Sequence, residues 1–191
     1  MYLSDIDIKN AMKSGDIIIK DFDESRLQPA SYDVLLGFEF LVFKRHKYPS
    51  IDPKLPAQDY MTKVTLTDEN DCFILHPQEF ALAVTYDYFG VNNKYCCNIM
   101  GKSSLARLGL IIHTTAGFVD PGNQLNATLE LFNTNNMPIK LYPKMKIAQI
   151  AFGELKTPAQ RAYGDPKLGS KYFKNTSVEA SKMFKNFAGN K

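Results

Sequence analysis

Short runs of apolar and β-branched residues, separated by glycine, proline, asparagine and aspartate, recur along most of the chain. One of them covers residues 34–43 and contains Gly37, which is typical of a bulge or bend. Further strands are predicted at 16–20, 63–67, 73–75, 81–86, 95–100, 127–132, 139–142 and 146–152. Many short strands with few helices favour a mostly-β sandwich or distorted barrel.

One short amphipathic helix is predicted near the beginning of the chain. Ser4 followed three residues later by Asp7 resembles a capping box, with Asp in place of Glu or Gln. Apolar Ile8 and Ala11 follow at helical spacing, and Gly15 ends the pattern.

Two stretches show no apolar periodicity. Residues 44–58 accumulate prolines and lysines and are predicted to form a loop. Residues 157–191 are polar, which fits a disordered terminus and equally fits a tail that orders over a charged ligand. We expect one domain over residues 1–191, with 157–191 as a C-terminal tail.

Composition and charge narrow the possible partners. The 191 residues are 45% hydrophobic and 23% charged, which suits a globular domain with a substantial core. A net charge of +3 does not require nucleic acid, and no apolar run reaches the ~20 residues needed to cross a bilayer. We expect neither nucleic acid nor membrane as a partner. A small anionic metabolite is compatible with the small positive net charge.

The N-terminal residues and the cysteines indicate a cytoplasmic protein. MYLSDIDIKNAMKSG has acidic residues where a signal peptide has basic ones, and it lacks an apolar core segment. Cys72, Cys96 and Cys97 are odd in number, and two are adjacent, so we expect reduced thiols.

Residues 101–133 carry the candidate chemistry. A turn at 101–104 brings together a lysine and two serine hydroxyls, and Arg107 follows three residues later. The carboxylates of Asp120 and Glu130 lie further along. These cations, hydroxyls and carboxylates could together bind a polyanionic ligand with a polar, reactive head group. Residues 101–104 alone could equally form an ordinary surface turn.

Several common catalytic sites are excluded by spacing. A P-loop needs glycine where Cys96 stands, and neither the His-x-Glu nor the Pro-Cys-x-x-Cys part of the zinc deaminase signature is present. His46, His76 and His113 do not fall at zinc-binding spacings, so no zinc is expected. His113 ends an apolar run and is predicted to be a satisfied core histidine. No GxSxG motif is found.

Glu130 interrupts an apolar strand. Alternation places Thr128, Glu130 and Phe132 on one face, and Leu129 and Leu131 on the other. A carboxylate on a buried face pairs with a cation or acts as a base, whereas an outward-facing one is simply solvated. The pattern alone leaves both interpretations open.

At these residues the chain resembles the dCTP deaminase family, metal-free deaminases that share the trimeric dUTPase fold. The resemblance runs in order through LSDIDIKNAMKSGDIIIKDFDESRLQPASYDVLLG, LHPQEFALA, GKSSLARLGL, TAGFVDPG, TLELFN, LYPKMKIAQIAF and YGDPKLGSKY. It implies a distorted β-jelly-roll of the dUTPase-like type, a homotrimer with active sites shared between subunits, and hydrolysis of the 4-amino group of dCTP. It also implies Mg²⁺ bound through the triphosphate rather than by protein side chains, and dTTP as an inhibitor.

The resemblance assigns roles residue by residue. Glu130 is the implied proton donor and acceptor, Ser103 and Arg107 hold the attacking water, and Ala116 belongs to the catalytic set. The implied nucleotide-binding residues are Lys102, Ser103, Ser104, Leu105, Ala106, Arg107, Asp120, Thr128, Leu129, Glu130, Gln149, Tyr163, Lys171 and Asn175.

Gly117 and Phe118 resemble the bifunctional members of the family, which also cleave between the α and β phosphates and release dUMP. Absence of a bulky side chain at 117 would make room for a second water, with Asp120 helping to place it. A monofunctional deaminase releasing dUTP and a non-catalytic nucleotide-binding relative are the alternatives.

Four positions depart from the family pattern. Asn123 replaces an aromatic residue and Leu125 a glycine, so that turn is expected to follow another path. Lys144 stands in place of a turn glycine, and Asn175 in place of a glutamine whose reach is longer by one methylene.

Overall fold

Strand β3 (Ser31–Phe43) organises the fold of residues 1–188, which are the residues described by the computed structural model. Its first half pairs with β2 and β12, and its second half pairs with β4 and β6. The complete set of strands is β1 (Ile17–Ile19), β2 (Leu27–Gln28), β3, β4 (Met61–Thr65), β5 (Phe73–Leu75), β6 (Phe80–Val91), β7 (Tyr95–Gly101), β8 (Leu110–Ile111), β9 (Phe118–Val119), β10 (Gln124–Asn133), β11 (Ile139–Leu141) and β12 (Lys146–Glu154).

The strands form one large curled antiparallel sheet and one small one. The large sheet runs β8-β10-β6-β3-β12-β7-β9, with β1 also on β6 and with β2 and β4 on β3. Strands β11 and β5 form the separate pair. The prediction of a mostly-β fold with a few short helices is therefore confirmed. The two-residue strands β2, β8 and β9 were not predicted, because so short a segment carries no alternation.

The bend predicted at Gly37 lies where β3 changes partner. The β3–β6 register shifts between Leu36 and Phe40. A Cβ at Gly37 would lie 2.8 Å from the Val84 carbonyl oxygen, closer than a real Cβ approaches. Glycine therefore lets β6 approach closely at the point where β3 changes from pairing with β12 to pairing with β6.

The helices are α1 (Asp5–Lys13) and the single turn α2 (Ser103–Ala106), supplemented by 3-10 turns at Glu24–Arg26, Ala57–Tyr60, Pro166–Leu168 and Met183–Asn186. The predicted capping box is confirmed, since the Ser4 hydroxyl accepts from Asp7 N–H and the Asp7 carboxylate accepts from Ser4 N–H. No helix among residues 1–188 has the length and apolar character needed to span a membrane.

The main core lies inside the curl of the sheet. Tyr32, Phe40, Leu129 and Phe152 are among its fully buried side chains. A second, smaller cluster forms on another surface of the sheet, where Val178 and Ala180 of the C-terminal segment pack with side chains of β3, β4 and β6. The tail was predicted either to be disordered or to order over a ligand. The structure shows its described part packed against the sheet.

Candidate active site

Strand β10 forms one wall of the candidate site. Its burial alternates without interruption from Gln124 to Asn133, although its register with β6 shifts between Asn126 and Thr128, where β6 carries the extra residues. Leu125, Ala127, Thr128 and Glu130 line the same cavity, which has a volume of about 480 Å³.

The Glu130 carboxylate is half-buried in this cavity and is held by the neighbouring segment. Its Oε2 accepts a 2.8 Å hydrogen bond from the backbone N–H of Thr114, and its own N–H donates to Ile112 O at 3.0 Å. The alternation predicted for this strand is confirmed, because Leu129 and Leu131 are fully buried on the opposite face. The carboxylate lies at a cavity wall with a fixed orientation, as a proton-transfer group needs.

Seven of the seventeen implied site residues line this cavity together: Ala116, Phe118, Asp120, Thr128, Glu130, Tyr163 and Asn175. Leu129 does not, because its side chain is buried in the core and only its backbone is available to a ligand. The cavity also includes Asn123, Tyr172 and Glu179, which the sequence did not indicate. Among the described residues, its charged lining consists of carboxylates, with no lysine or arginine.

The C-terminal segment forms part of the cavity wall. Asn175 O accepts from Asn126 N–H at 2.8 Å, at the register shift between β10 and β6. Glu179 N–H donates to the Thr128 hydroxyl at 3.3 Å, and Tyr163 N–H donates to Pro121 O at 2.8 Å. These bonds fix the segment along β10, which is where the implied tail contacts to a nucleotide would have to be made.

Gly117 occupies a crowded position. A Cβ there would lie 2.6 Å from Ile99 O and 3.1 Å from His113 Nε2. A side chain at 117 would therefore clash in this conformation, and the room for a second water expected beside Gly117 stays a prediction. Glycine is required for the close approach of this segment to β7, where Gly117 O accepts from Ile99 N–H at 2.7 Å.

The implied cationic residues lie outside the cavity. Lys102 follows β7 directly, and α2 then turns the chain so that Leu105 packs against the core. Ser103, Ser104 and Arg107 are exposed, and Arg107 forms no ion pair with any carboxylate of residues 1–188. Ala106 is exposed on the same turn.

Gln149 belongs to the same region as Lys102. Its Oε1 accepts from the Ser31 hydroxyl at 3.2 Å, and its Nε2 donates to Gly101 O at 3.4 Å. Lys171 is half-buried in the C-terminal segment and is not part of the cavity wall. One chain thus presents a cavity with carboxylates and a separate, exposed cationic turn.

Two buried polar atoms have no hydrogen-bond partner among residues 1–188. One is His113 Nδ1, so the prediction of a satisfied core histidine is wrong. The other is Asn123 Oδ1 in the cavity wall, at one of the departures from the family pattern. Leu125 beside it is also buried, so the altered turn directs both side chains inward.

A buried ion pair that the sequence did not indicate lies next to the cationic turn. Arg26 and Asp87 are both almost fully buried, with 2.7 Å between Nη1 and Oδ1, and Asp87 Oδ2 also accepts from Leu35 N–H at 2.7 Å. Asp87 is an isolated charge in an aromatic run, which is the signal that drew attention to Glu130, whereas Arg26 follows a run of acidic and polar residues and carries no such signal.

Burial accounts for the main pKa shifts of the interior. It raises the pKa of the Cys97 thiol far above its ordinary value, and that of Cys96 to a lesser degree. It also raises the pKa of the Tyr32 hydroxyl. The three cysteines are free thiols, and among residues 1–188 no cluster of three His, Cys, Asp or Glu side chains is arranged to hold a metal. The absence of zinc stays a prediction.

Comparison with known proteins places the chain in a family. A family model described as dCTP deaminase-like matches residues 2–155. A protein of Corynebacterium jeikeium named "dCTP deaminase, dUMP-forming" is 47% identical over 187 residues, covering 98% of this chain and 99% of the relative. A Thermobifida fusca protein of the same name is 43% identical over 191 residues, covering 100% and 97%.

The fold is also found in a solved structure. The crystal structure of 2'-deoxycytidine 5'-triphosphate deaminase from Agrobacterium tumefaciens matches with a TM-score of 0.61 and 18% identity. The match covers 79% of this chain and 47% of the Agrobacterium chain. The chain belongs to the dCTP deaminase-like family.

Proposed function

We propose that this protein deaminates dCTP by hydrolysis and couples deamination to cleavage of the triphosphate, giving dUMP, pyrophosphate and ammonia. Relatives 43–47% identical along nearly the whole chain carry the name "dCTP deaminase, dUMP-forming". The observation that carries the proposal for this chain is the Glu130 carboxylate, oriented by Thr114 N–H at the wall of a cavity large enough for a nucleoside.

The deamination chemistry needs one proton-transfer group and no metal. Water attacks C4 of cytosine, so that the C4–O bond forms as the C4–N3 π bond opens, and Glu130 takes a proton from the water and passes it to N3. Glu130 then takes the proton of the new hydroxyl group and passes it to the 4-amino group, so that the C4–N4 bond breaks, ammonia leaves and the C4 carbonyl forms. One carboxylate can do both when it stays within hydrogen-bond reach of the reacting atoms.

Charge supports a site built from more than one copy of the chain. The cavity wall contains Asp120, Glu130 and Glu179, which repel a triphosphate. The cations that would neutralise it, Lys102 and Arg107, are on a turn outside that cavity. In the homotrimer we propose, the turn of one copy completes the cavity of its neighbour, and Ser103 and Arg107 then hold the water and stabilise developing charge.

The second step removes pyrophosphate. A second water attacks the α phosphorus, the P–O bond to the β phosphate breaks, and Asp120 in the cavity wall helps to place that water. Mg²⁺ would be carried by the triphosphate and would reduce the charge of the leaving pyrophosphate. Lys171 and the C-terminal segment would close over the phosphates, and dTTP would inhibit by competing for the same site.

A cytoplasmic location is part of the proposal. Cys72, Cys96 and Cys97 are free thiols, which is the state expected in a reducing compartment.

The products of a single incubation test this function. The protein is incubated with dCTP and Mg²⁺, and nucleotides, pyrophosphate and ammonia are quantified, with the Glu130→Gln variant as control. We expect dUMP, pyrophosphate and ammonia in equal amounts. Accumulation of dUTP would identify a monofunctional deaminase, and binding of dCTP without turnover would identify a non-catalytic relative.

A further inference from the structure

An almost fully buried carboxylate joins two lysines beside the cationic turn. Asp33 Oδ1 lies 2.5 Å from Lys102 Nζ, and its Oδ2 lies 3.3 Å from Lys146 Nζ. The Asp33 side chain is 3% exposed, whereas Lys102 and Lys146 are 25% and 46% exposed. The carboxylate is therefore fixed in the protein, and both ammonium groups reach the surface.

A bulge in β12 directs Lys146 to this place. The β12–β3 register shifts between Lys146 and Ala148, and Ile147 and Ala148 are consecutive residues that are both fully buried. This irregularity places Lys146 and Gln149 on the same outward face. Gln149 pairs with Asp33 across the two strands.

Three cations and three carboxylates lie together here, and the exposed Asp23 carboxylate lies near Lys146 as well as near Arg26. Arg26 also donates to Asp33 O at 3.4 Å, but it is already paired with Asp87 at 2.7 Å, with the exposed carboxylate of Asp23 3.7 Å from its Nε. The two lysines share the Asp33 carboxylate. A multiply charged anion at this surface would satisfy the remaining donors of both ammonium groups.

We propose that Lys146 binds the phosphate chain of the nucleotide together with Lys102, and that Asp33 is a positioning residue that holds the two ammonium groups in place. This inference rests on the proposed function, since that function puts a triphosphate at Lys102. The ligand class is a linear polyphosphate, whose adjacent oxygens can contact two ammonium groups that share one carboxylate. Asp33 does not touch the substrate.

Binding to a variant that does not turn over tests the role of Lys146. In the Glu130→Gln background, calorimetry measures the affinity for dCTP and for inorganic tripolyphosphate, both with Mg²⁺. Lys146→Ala should weaken both by about tenfold, the loss of one charge-assisted contact. Lys94→Ala is the matched control, because Lys94 is also an exposed lysine, 3.2 Å from Asp16, on the distant β6–β7 connection.

Asp33→Asn tests the positioning role, with Asp87→Asn as the control for loss of a buried carboxylate. Both should lower the unfolding midpoint, but only Asp33→Asn should weaken tripolyphosphate binding, several-fold, because the lysines lose their fixed placement. Tighter binding by Asp33→Asn would show that Asp33 competes with phosphate, and would overturn its positioning role.

The outcomes separate this inference from the proposed function. Affinities of Lys146→Ala equal to those of Lys94→Ala would overturn the inference. Absence of dCTP and tripolyphosphate binding in every variant would overturn both. If the unsubstituted protein binds dCTP without deaminating it, and Lys146→Ala still weakens that binding, the proposed function is wrong and the phosphate role of Lys146 stands.

Discussion

The cavity along β10 and the cationic turn after β7 are the two halves of the implied site, and they differ in almost every respect. The cavity is a partly open pocket that contains three carboxylates, and its wall is held together by hydrogen bonds such as that from Glu179 N–H to the Thr128 hydroxyl. The turn is exposed, and Ser103 and Arg107 lie at the surface. In the function that we propose, the first half supplies the proton-transfer group and the second supplies the positive charge that a triphosphate needs.

In the assembly that we propose, the two halves of a site come from neighbouring copies of the chain. Exposed cations cost the folded chain little, because water solvates them. Arg107 can therefore lie on the surface of one copy and complete the cavity of the next. The following substitutions break one half at a time.

Glu130→Gln should have the largest effect. The amide keeps the shape of the side chain but cannot accept a proton from water, so kcat should fall by about a thousandfold. Steady-state assays of ammonia release measure it. We expect the variant to lose turnover while its affinity for dCTP stays unchanged. A kcat close to that of the parent would show that Glu130 is not the proton-transfer group.

Arg107→Ala breaks the cationic half, and turnover should fall by about a hundredfold because one charge-stabilising donor is lost. Arg45→Ala is the control, since Arg45 is also an exposed arginine but lies on the 44–58 loop, 3.8 Å from Glu79. Equal rates for the two variants would exclude Arg107 from the site.

Gly117→Ala tests the close packing of the segment between Thr114, whose N–H donates to Glu130, and β9. The added methyl group would lie 2.6 Å from Ile99 O, so the segment has to move, at a cost of about 1–3 kcal/mol in stability. Chemical denaturation measures it. Gly153→Ala, whose methyl group would be 3.5 Å from Cys96 Sγ, should be close to neutral; an equal loss in both variants would contradict the crowding described for Gly117.

Lys144 gives the smallest expected effect and concerns the turn that leads into Lys146. Lys144 has φ +59°, in the left-handed region that favours glycine, and it pairs with Glu69 at 2.5 Å. Lys144→Ala and Lys144→Gly both lose that pair, but only glycine relieves the backbone. The glycine variant should unfold a few degrees higher than the alanine variant, as thermal denaturation would show. A higher midpoint for alanine would argue against strain here.

The sequence predicted the parts of the fold that depend on local patterns. Strong alternation identified β10 and placed Leu129 on the face opposite Glu130, and the Ser4–Asp7 capping box identified α1. Lys144 stands where the family has a turn glycine, and its positive φ agrees with that position.

What the sequence did not predict depends on long-range register. The extra residues of β6 opposite Asn126–Thr128 and the bulge of β12 at Lys146–Ala148 set the pairing of these strands, and neither irregularity contains a glycine or proline as a signal. Asp33 could have been identified from the sequence, because a charged residue in an apolar strand is the same pattern that identified Glu130. Its two lysine partners were not, because they lie on other strands.

Complementation between two inactive variants tests the division of the site most directly. Glu130→Gln and Arg107→Ala subunits are unfolded, mixed in equal amounts and refolded, and dCTP deamination is compared with each variant refolded alone. If every site takes Glu130 from one copy and Arg107 from another, random mixing should restore about a quarter of the parental activity. A mixed sample no more active than the separate variants, despite proven exchange of subunits, would contradict the account.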